Sequence, residues 1–183
     1  LEAAREGHED MVARLLALNP SLVDARTKGW YQQTPLHLAA TNGHDGVVAQ
    51  LLALSPESSD ARDCDDRTAL HLAAVHGHDK IVARLLAHSP ALLDVVDSSD
   101  RTALYIAASK GHEATVVQLL NHNPNLIDAR NNTPLHAAAS HGHTNVVSVL
   151  LARHPSLADV ANSDDIIPLF CAVFNNHKEV VDM

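Results

Sequence analysis

Apolar and polar positions alternate in two patterns that take turns along the chain. In residues 68–101, Leu70, Leu72, Ala73 and Ala74 form a short block with a face of very small side chains. Then Ile81, Val82, Leu85 and Leu86 recur at i, i+1, i+4 and i+5, which is one face of a helix. The first block predicts a short helix able to approach its neighbours closely, and the second predicts an amphipathic helix.

The punctuation between them is consistent. Thr68 stands where a helix N-cap accepts from free backbone N–H groups. Other units follow that position with Pro35, Pro134 or Pro168, suited to the first helical residue. Gly77 closes the first helix, as Gly7, Gly43, Gly111 and Gly142 do in theirs, with Asn176 as substitute in the last. Asp79, Asp45, Glu9 and Glu113 place negative charge in the first turn of the second helix. Pro90, matched by Pro20, Pro56, Pro124 and Pro155, is expected to stop that helix, and Asp94 opens a polar connector.

The arrangement repeats. Thr34 to Ala40 returns as Thr68 to Ala74, Thr102 to Ala108 and Thr133 to Ala139, and in worn form as Ile167 to Val173, at steps of 34, 34, 31 and 34 residues. A fixed period of this size means stacked units, each too small to bury its own apolar face. The units run 1–33 (partial), 34–67, 68–101, 102–132, 133–166 and 167–183 (partial). Leu1 aligns with the histidine of the core motif, and the last unit stops at Met183 short of its double leucine, so the chain is expected to be a segment of a longer protein.

Composition narrows the function. Apolar residues make up 46% and aromatics 3%, so Ala and Leu supply the core of an all-α stack. The formal charge is −9 with four lysines, which argues against a nucleic-acid or anionic-membrane partner. No run of about 18 apolar residues exists to span a bilayer. Cys64 and Cys171 fall three repeats apart and are expected to be unpaired, which suggests a cytoplasmic or other reducing compartment.

The Thr-Pro/Ala-Leu-His-x-Ala-Ala core, the Gly-His turn and the Val-Val-x-x-Leu-Leu helix resemble the ankyrin repeat, over essentially the whole chain. The resemblance implies an all-α ankyrin-repeat solenoid of helix-turn-helix units with protruding β-hairpin-like loops. It also implies a monomeric protein-interaction module without catalytic residues, cofactor or metal. The alternative is a regulatory or targeting segment of a larger enzyme, channel or effector whose activity lies outside this chain. This sequence departs from the family at the connector tip, where Asp66 and Asp100 replace the usual glycine. Aspartate tolerates the left-handed conformation that such a turn needs.

In the family, partners bind along the loop tips and the exposed ends of the first helices. At the helix ends stand Thr41 and Asn42, Val75 and His76, Ser109 and Lys110, Ser140 and His141, and Phe174. They vary while the frame repeats. The tips carry Asp65, Asp66, Arg67, Asp100 and Arg101, an acidic row with two arginines, which points to a basic partner. Asp63 and Asp97 read equally well as turn caps. Connector lengths also vary. Asp24 to Thr34 is two residues longer than its counterparts and displays Trp30 and Tyr31, either as interface anchors or folded over the next connector. Asp128 to Thr133 is three shorter.

Nine of fourteen histidines sit at repeat phases: His8, His44, His78, His112, His143 and His177 after the turn, and His37, His71 and His136 in the core motif. They read as hydrogen bonds between neighbouring backbones. The His76-Gly77-His78 and His141-Gly142-His143 pairs lack the spacing of a zinc site. Protonating all fourteen would carry the charge from −9 to +5. Binding of a basic partner is therefore expected to weaken between about pH 7.5 and about pH 5.5 at constant salt, and unchanged affinity would refute this.

Overall fold

The computed structural model describes residues 1–122 and 131–183. The short connector expected from Asp128 lies outside the described residues. Among the described residues twelve α-helices fall into six consecutive pairs: α1 (Glu2–Arg5) with α2 (Glu9–Leu18), α3 (Pro35–Asn42) with α4 (Asp45–Leu54), α5 (Ala69–His76) with α6 (Asp79–His88), α7 (Ala103–Lys110) with α8 (Glu113–Leu120), α9 (Pro134–Ser140) with α10 (Thr144–Arg153), and α11 (Pro168–Phe174) with α12 (Lys178–Val181). No β-strand forms among the described residues; a single bridge pairs Val96 with Thr102.

Successive first helices pack side by side through alanines. Ala39, Ala40, Ala73, Ala74, Ala107 and Ala108 are fully buried. Successive second helices meet through larger residues such as Val48, Leu52, Val82 and Leu86, and lie in looser contact than the first helices.

The core histidine does two jobs at each seam. His37 Nδ1 accepts the backbone N–H of Thr34 at 3.3 Å while the Thr34 hydroxyl accepts the N–H of His37, closing a reciprocal cap. With Nδ1 accepting, the ring proton sits on Nε2, which donates to the carbonyl of Arg67 at 2.9 Å, 30 residues on in the next unit. His71 repeats this with Thr68 and the Arg101 carbonyl, and His136 with Thr133 and the Ile166 carbonyl. All three rings are buried.

Pro124 lies outside the described residues, but the other second-helix prolines do more than end a helix. Residue Ser89 turns extended at φ −138°, as a residue before proline prefers, and Pro90 then opens a second, 3₁₀ turn over Pro90–Asp94. Its Leu92 and Leu93 are buried in the core. Pro20–Asp24, Pro56–Asp60 and Pro155–Asp159 do the same.

In units 34–67 and 68–101 the connector turns on a buried aspartate acceptor. Asp97 Oδ1 takes the N–H groups of Ser99 and Arg101 at 2.9 and 3.0 Å, and its Oδ2 lies 2.7 Å from the Arg101 guanidinium. Asp63 serves Asp65 and Arg67 in the same way. Both carboxyl side chains are wholly buried, so their role is structural and they leave the acidic tip. In the fifth unit Asn162 replaces the aspartate, and Ile166 stands where the arginine would be, so charge is absent from both partners together. Asp66, Asp100 and Asp165 hold left-handed backbone at φ 57°, 61° and 58°, as expected of aspartate in place of glycine.

Removing this acceptor should be costly. Asp97→Ala strands two backbone donors and a guanidinium and is expected to lower unfolding free energy by about 2–4 kcal/mol. Asp97→Asn keeps Oδ1 and should lose less, and Asp97→Asn/Arg101→Ile should recover part of that loss by copying the fifth unit. Urea unfolding followed by circular dichroism checks the order of the three.

Candidate functional site

The turn histidines form a second series of seam bonds, pointing the opposite way. Nε2 of His44, His78, His112, His143 and His177 reaches the carbonyls of Arg5, Thr41, Val75, Ser109 and Ser140 in the preceding unit, at 2.7–3.1 Å. Their rings fill the space beside the turn glycine. A β-carbon on Gly77 would lie 2.7 Å from His112 Nδ1, and its φ of +70° already disfavours any other residue.

These acceptors coincide with variable positions at the first-helix ends. The seam reads the main chain of Thr41, Val75, Ser109 and Ser140, which leaves their side chains to differ. They are half-buried, while Asn42, His76, Lys110 and His141 beside them are exposed. Several fold back on their own helix: the Thr41 hydroxyl donates to His37 O, the Asn42 amide to Leu38 O and the Ser109 hydroxyl to Ile106 O. These groups cap their helix and present a pre-set surface. The stack thus brings its first-helix ends into one row.

The connector tips make a parallel row. Cys64 N–H donates to Tyr31 O at 3.1 Å and Ser98 N–H to Asp65 O at 2.9 Å, so three successive connectors join along their backbones. Arg26 and Arg62, which the pattern along the chain did not single out, clamp them further: each guanidinium donates to a carbonyl of its own connector and to one in the next, Arg62 O and Val96 O. Arg67 is bound to Asp63 and Asp65, both at 2.9 Å, and Arg101 to Asp97, so these two arginines and Asp65 are committed within the row. Asp66 is exposed and Asp100 half-buried.

At the first connector Thr27 takes the place of the buried aspartate, its hydroxyl accepting the N–H of Gln33. Six residues separate Thr27 from Gln33, where four separate Asp97 from Arg101, which confirms the two extra residues. They leave Trp30 91% and Tyr31 63% exposed. Neither ring folds over the neighbouring connector.

The histidine pairs do not converge on a metal-like cluster. His76 stacks on His78 and His141 on His143, each with ring centres 6.0 Å apart. Among the described residues only Asp63, Cys64 and Asp65 gather three ligand atoms within 4.8 Å, and both carboxylates are engaged by Arg67. Cys64 and Cys171 are free thiols.

The stacked helix pairs carry variable side chains at their first-helix ends and connector tips. A family model described as ankyrin repeats (3 copies) matches residues 1–91, 48–128, 86–165 and 104–183, and the chain belongs to the ankyrin repeat family. Members of that family are generally protein–protein interaction modules. None of the curated proteins compared matches the chain. No helix among the described residues is long and apolar enough to cross a membrane.

Burial pushes His37 and His71 below the ordinary imidazole range, outweighing the opposing pull of the Arg67 and Arg101 carbonyls and of Asp63 and Asp97. Partial burial, with His78, His112 and Lys110 nearby, does the same to His76. In the unfolded chain histidine titrates near about 6.5, so that state takes up protons first. Stability should be fully present above about pH 6.5 and fall as the pH drops towards the depressed folded values, by up to about 1.4 kcal/mol per pH unit for each of the buried rings of His37 and His71. Urea titrations from about pH 8 to about pH 5.5 check this; His71→Gln should lower stability at the upper end yet flatten the slope.

Proposed function

We propose that this ankyrin array binds a protein partner carrying lysine or arginine residues, along the connector tips and the exposed ends of the first helices. Trp30 and Tyr31 act as its anchors. The observation that carries this reading is the 91% exposure of the only tryptophan, on the one connector lengthened by two residues. An indole left in water is costly apolar surface, and Trp and Tyr contribute most where they are buried in an interface. The surrounding surface supplies complementary charge. Asp66 and Asp100 line the tips, and the chain as a whole carries −9. Rows of side chains held on a rigid frame bind with little ordering cost. Along the other row, Asn42, His76, Lys110, His141 and Phe174 give polar and aromatic contacts that differ from unit to unit.

Selection of a displayed random peptide library on the whole chain tests this directly. Selected peptides should be enriched in Lys and Arg. Binding them should shift the Trp30 emission to the blue and shield it from iodide quenching. Trp30→Ala/Tyr31→Ala should weaken the best peptide by about tenfold or more, since each hot-spot ring contributes on the order of 2 kcal/mol. Selected peptides without basic residues, or undiminished affinity in the double variant, would overturn the reading.

A further inference from the structure

The two rows of variable side chains differ in sign. The connector tips are acidic at Asp66 and Asp100. The row at the first-helix ends is the reverse. Its turns, residues 41–44, 75–78, 109–112 and 140–143, contain no aspartate or glutamate, in a chain that has 22 of them. At one phase of three successive internal units they present His76, Lys110 and His141, all exposed.

The neighbouring turn imidazoles are already committed. His78, His112 and His143 direct Nε2 to carbonyls of the preceding unit, which uses their one ring proton. His141 donates through Nδ1 to Ala137 O at 2.9 Å, which holds its ring in place. Lys110 makes no ion pair among the described residues. The acids nearest to these turns in sequence, Asp79 and Glu113, open the second helices α6 and α8, and neither pairs with it. The charges that act on His76 are those of His78, His112 and Lys110, so positive groups of adjoining units lie within reach of one another and no carboxylate joins them. A cation in the last turn also steadies the helix dipole. If that were its whole role, removing it would cost stability and not affinity.

From this we infer that the helix-end row of these three units binds an acidic segment of the protein partner, with aspartate or glutamate carboxylates against Lys110 and the flanking His76 and His141. The inference rests on the preceding reading only in taking the helix ends as partner-facing. It adds that the partner is bipolar, basic towards the connector tips and acidic towards the helix ends. The spacing of the units suits such a segment. Packed helices lie about 8–10 Å apart, and a polyproline II segment returns every third side chain to one face about 9 Å further on. Carboxylates at i, i+3 and i+6 therefore match three successive units. A segment of the opposite polarity meets like charge on both rows and is rejected.

The test is fluorescence anisotropy with the whole chain and two labelled peptides, carrying glutamate or glutamine at every third position between prolines and alanines. The glutamate peptide should bind at least about tenfold more tightly at low salt and lose that advantage as salt rises. Lys110→Glu should weaken it by about tenfold or more and Lys110→Gln by about threefold, while Lys110→Arg retains it. Lys80→Glu makes the same change in net charge from an exposed position on α6 and should leave binding within about twofold. Equal binding of the two peptides, or parent-like binding by Lys110→Glu, would overturn the proposal. So would a loss in Lys80→Glu as large as that in Lys110→Glu, because the attraction would then belong to the whole surface. Lower unfolding free energy in urea with unchanged affinity in Lys110→Gln would assign the lysine to the helix dipole alone and overturn it too. Trp30→Ala/Tyr31→Ala should leave the glutamate peptide bound, so failure at the aromatic connector and failure here are read separately. Far-ultraviolet circular dichroism confirms that each variant folds; Lys110→Gln serves should Lys110→Glu disturb α7.

Discussion

An imidazole donating to a main-chain carbonyl in the adjoining unit is the contact on which the rest of this structure depends. Each helix pair is too small to stand alone, and its apolar face is covered only by its neighbours. Stacking brings carbonyls at the seam away from water, and each such group needs a donor. His37, His71 and His136 reach forward to the next connector, while His44, His78, His112, His143 and His177 reach back to the preceding first helix. Register between units is set from both sides. The core rings close the Thr caps, and the turn rings occupy the space beside the glycine of the preceding unit, so cap, turn and seam are tied together.

Because the acceptors are backbone atoms, stability and surface chemistry are separated. Position 41 is threonine, 75 valine, 109 and 140 serine, and each carbonyl serves its histidine equally. The connector tips show the same division of labour. Asp63 and Asp97 are buried turn acceptors, whereas Asp66 and Asp100 hold the turn by backbone conformation and present their side chains outward. The charge a partner meets is accordingly smaller than the count of tip aspartates.

Most of the frame was legible in the sequence because its signals are local. Glycine, proline and threonine recur at fixed phases, and each has a single physical reason to be there. The double role of Pro90 was not legible: it ends one helix and begins a 3₁₀ turn, and only the burial of Leu92 and Leu93 shows why both are needed. The burial of Asp63 and Asp97 was also hidden, since aspartate at a loop tip reads as surface. Nothing in the periodicity could place the rings of Trp30 and Tyr31, because their connector has no counterpart of equal length. Arg26 and Arg62 gave little warning, as a clamp across connectors depends on which backbones lie adjacent in space.

The spacing of the seam bonds has a consequence for how such a chain can grow. The forward bonds join residues 30 apart in all three cases, and three of the backward bonds join residues 37 apart. In-frame duplication of one period preserves both relationships whatever the point at which the segment is cut. A gene of this kind can lengthen by copying any repeat-sized stretch, with every new seam bonded on arrival and the surface residues free to diverge afterwards.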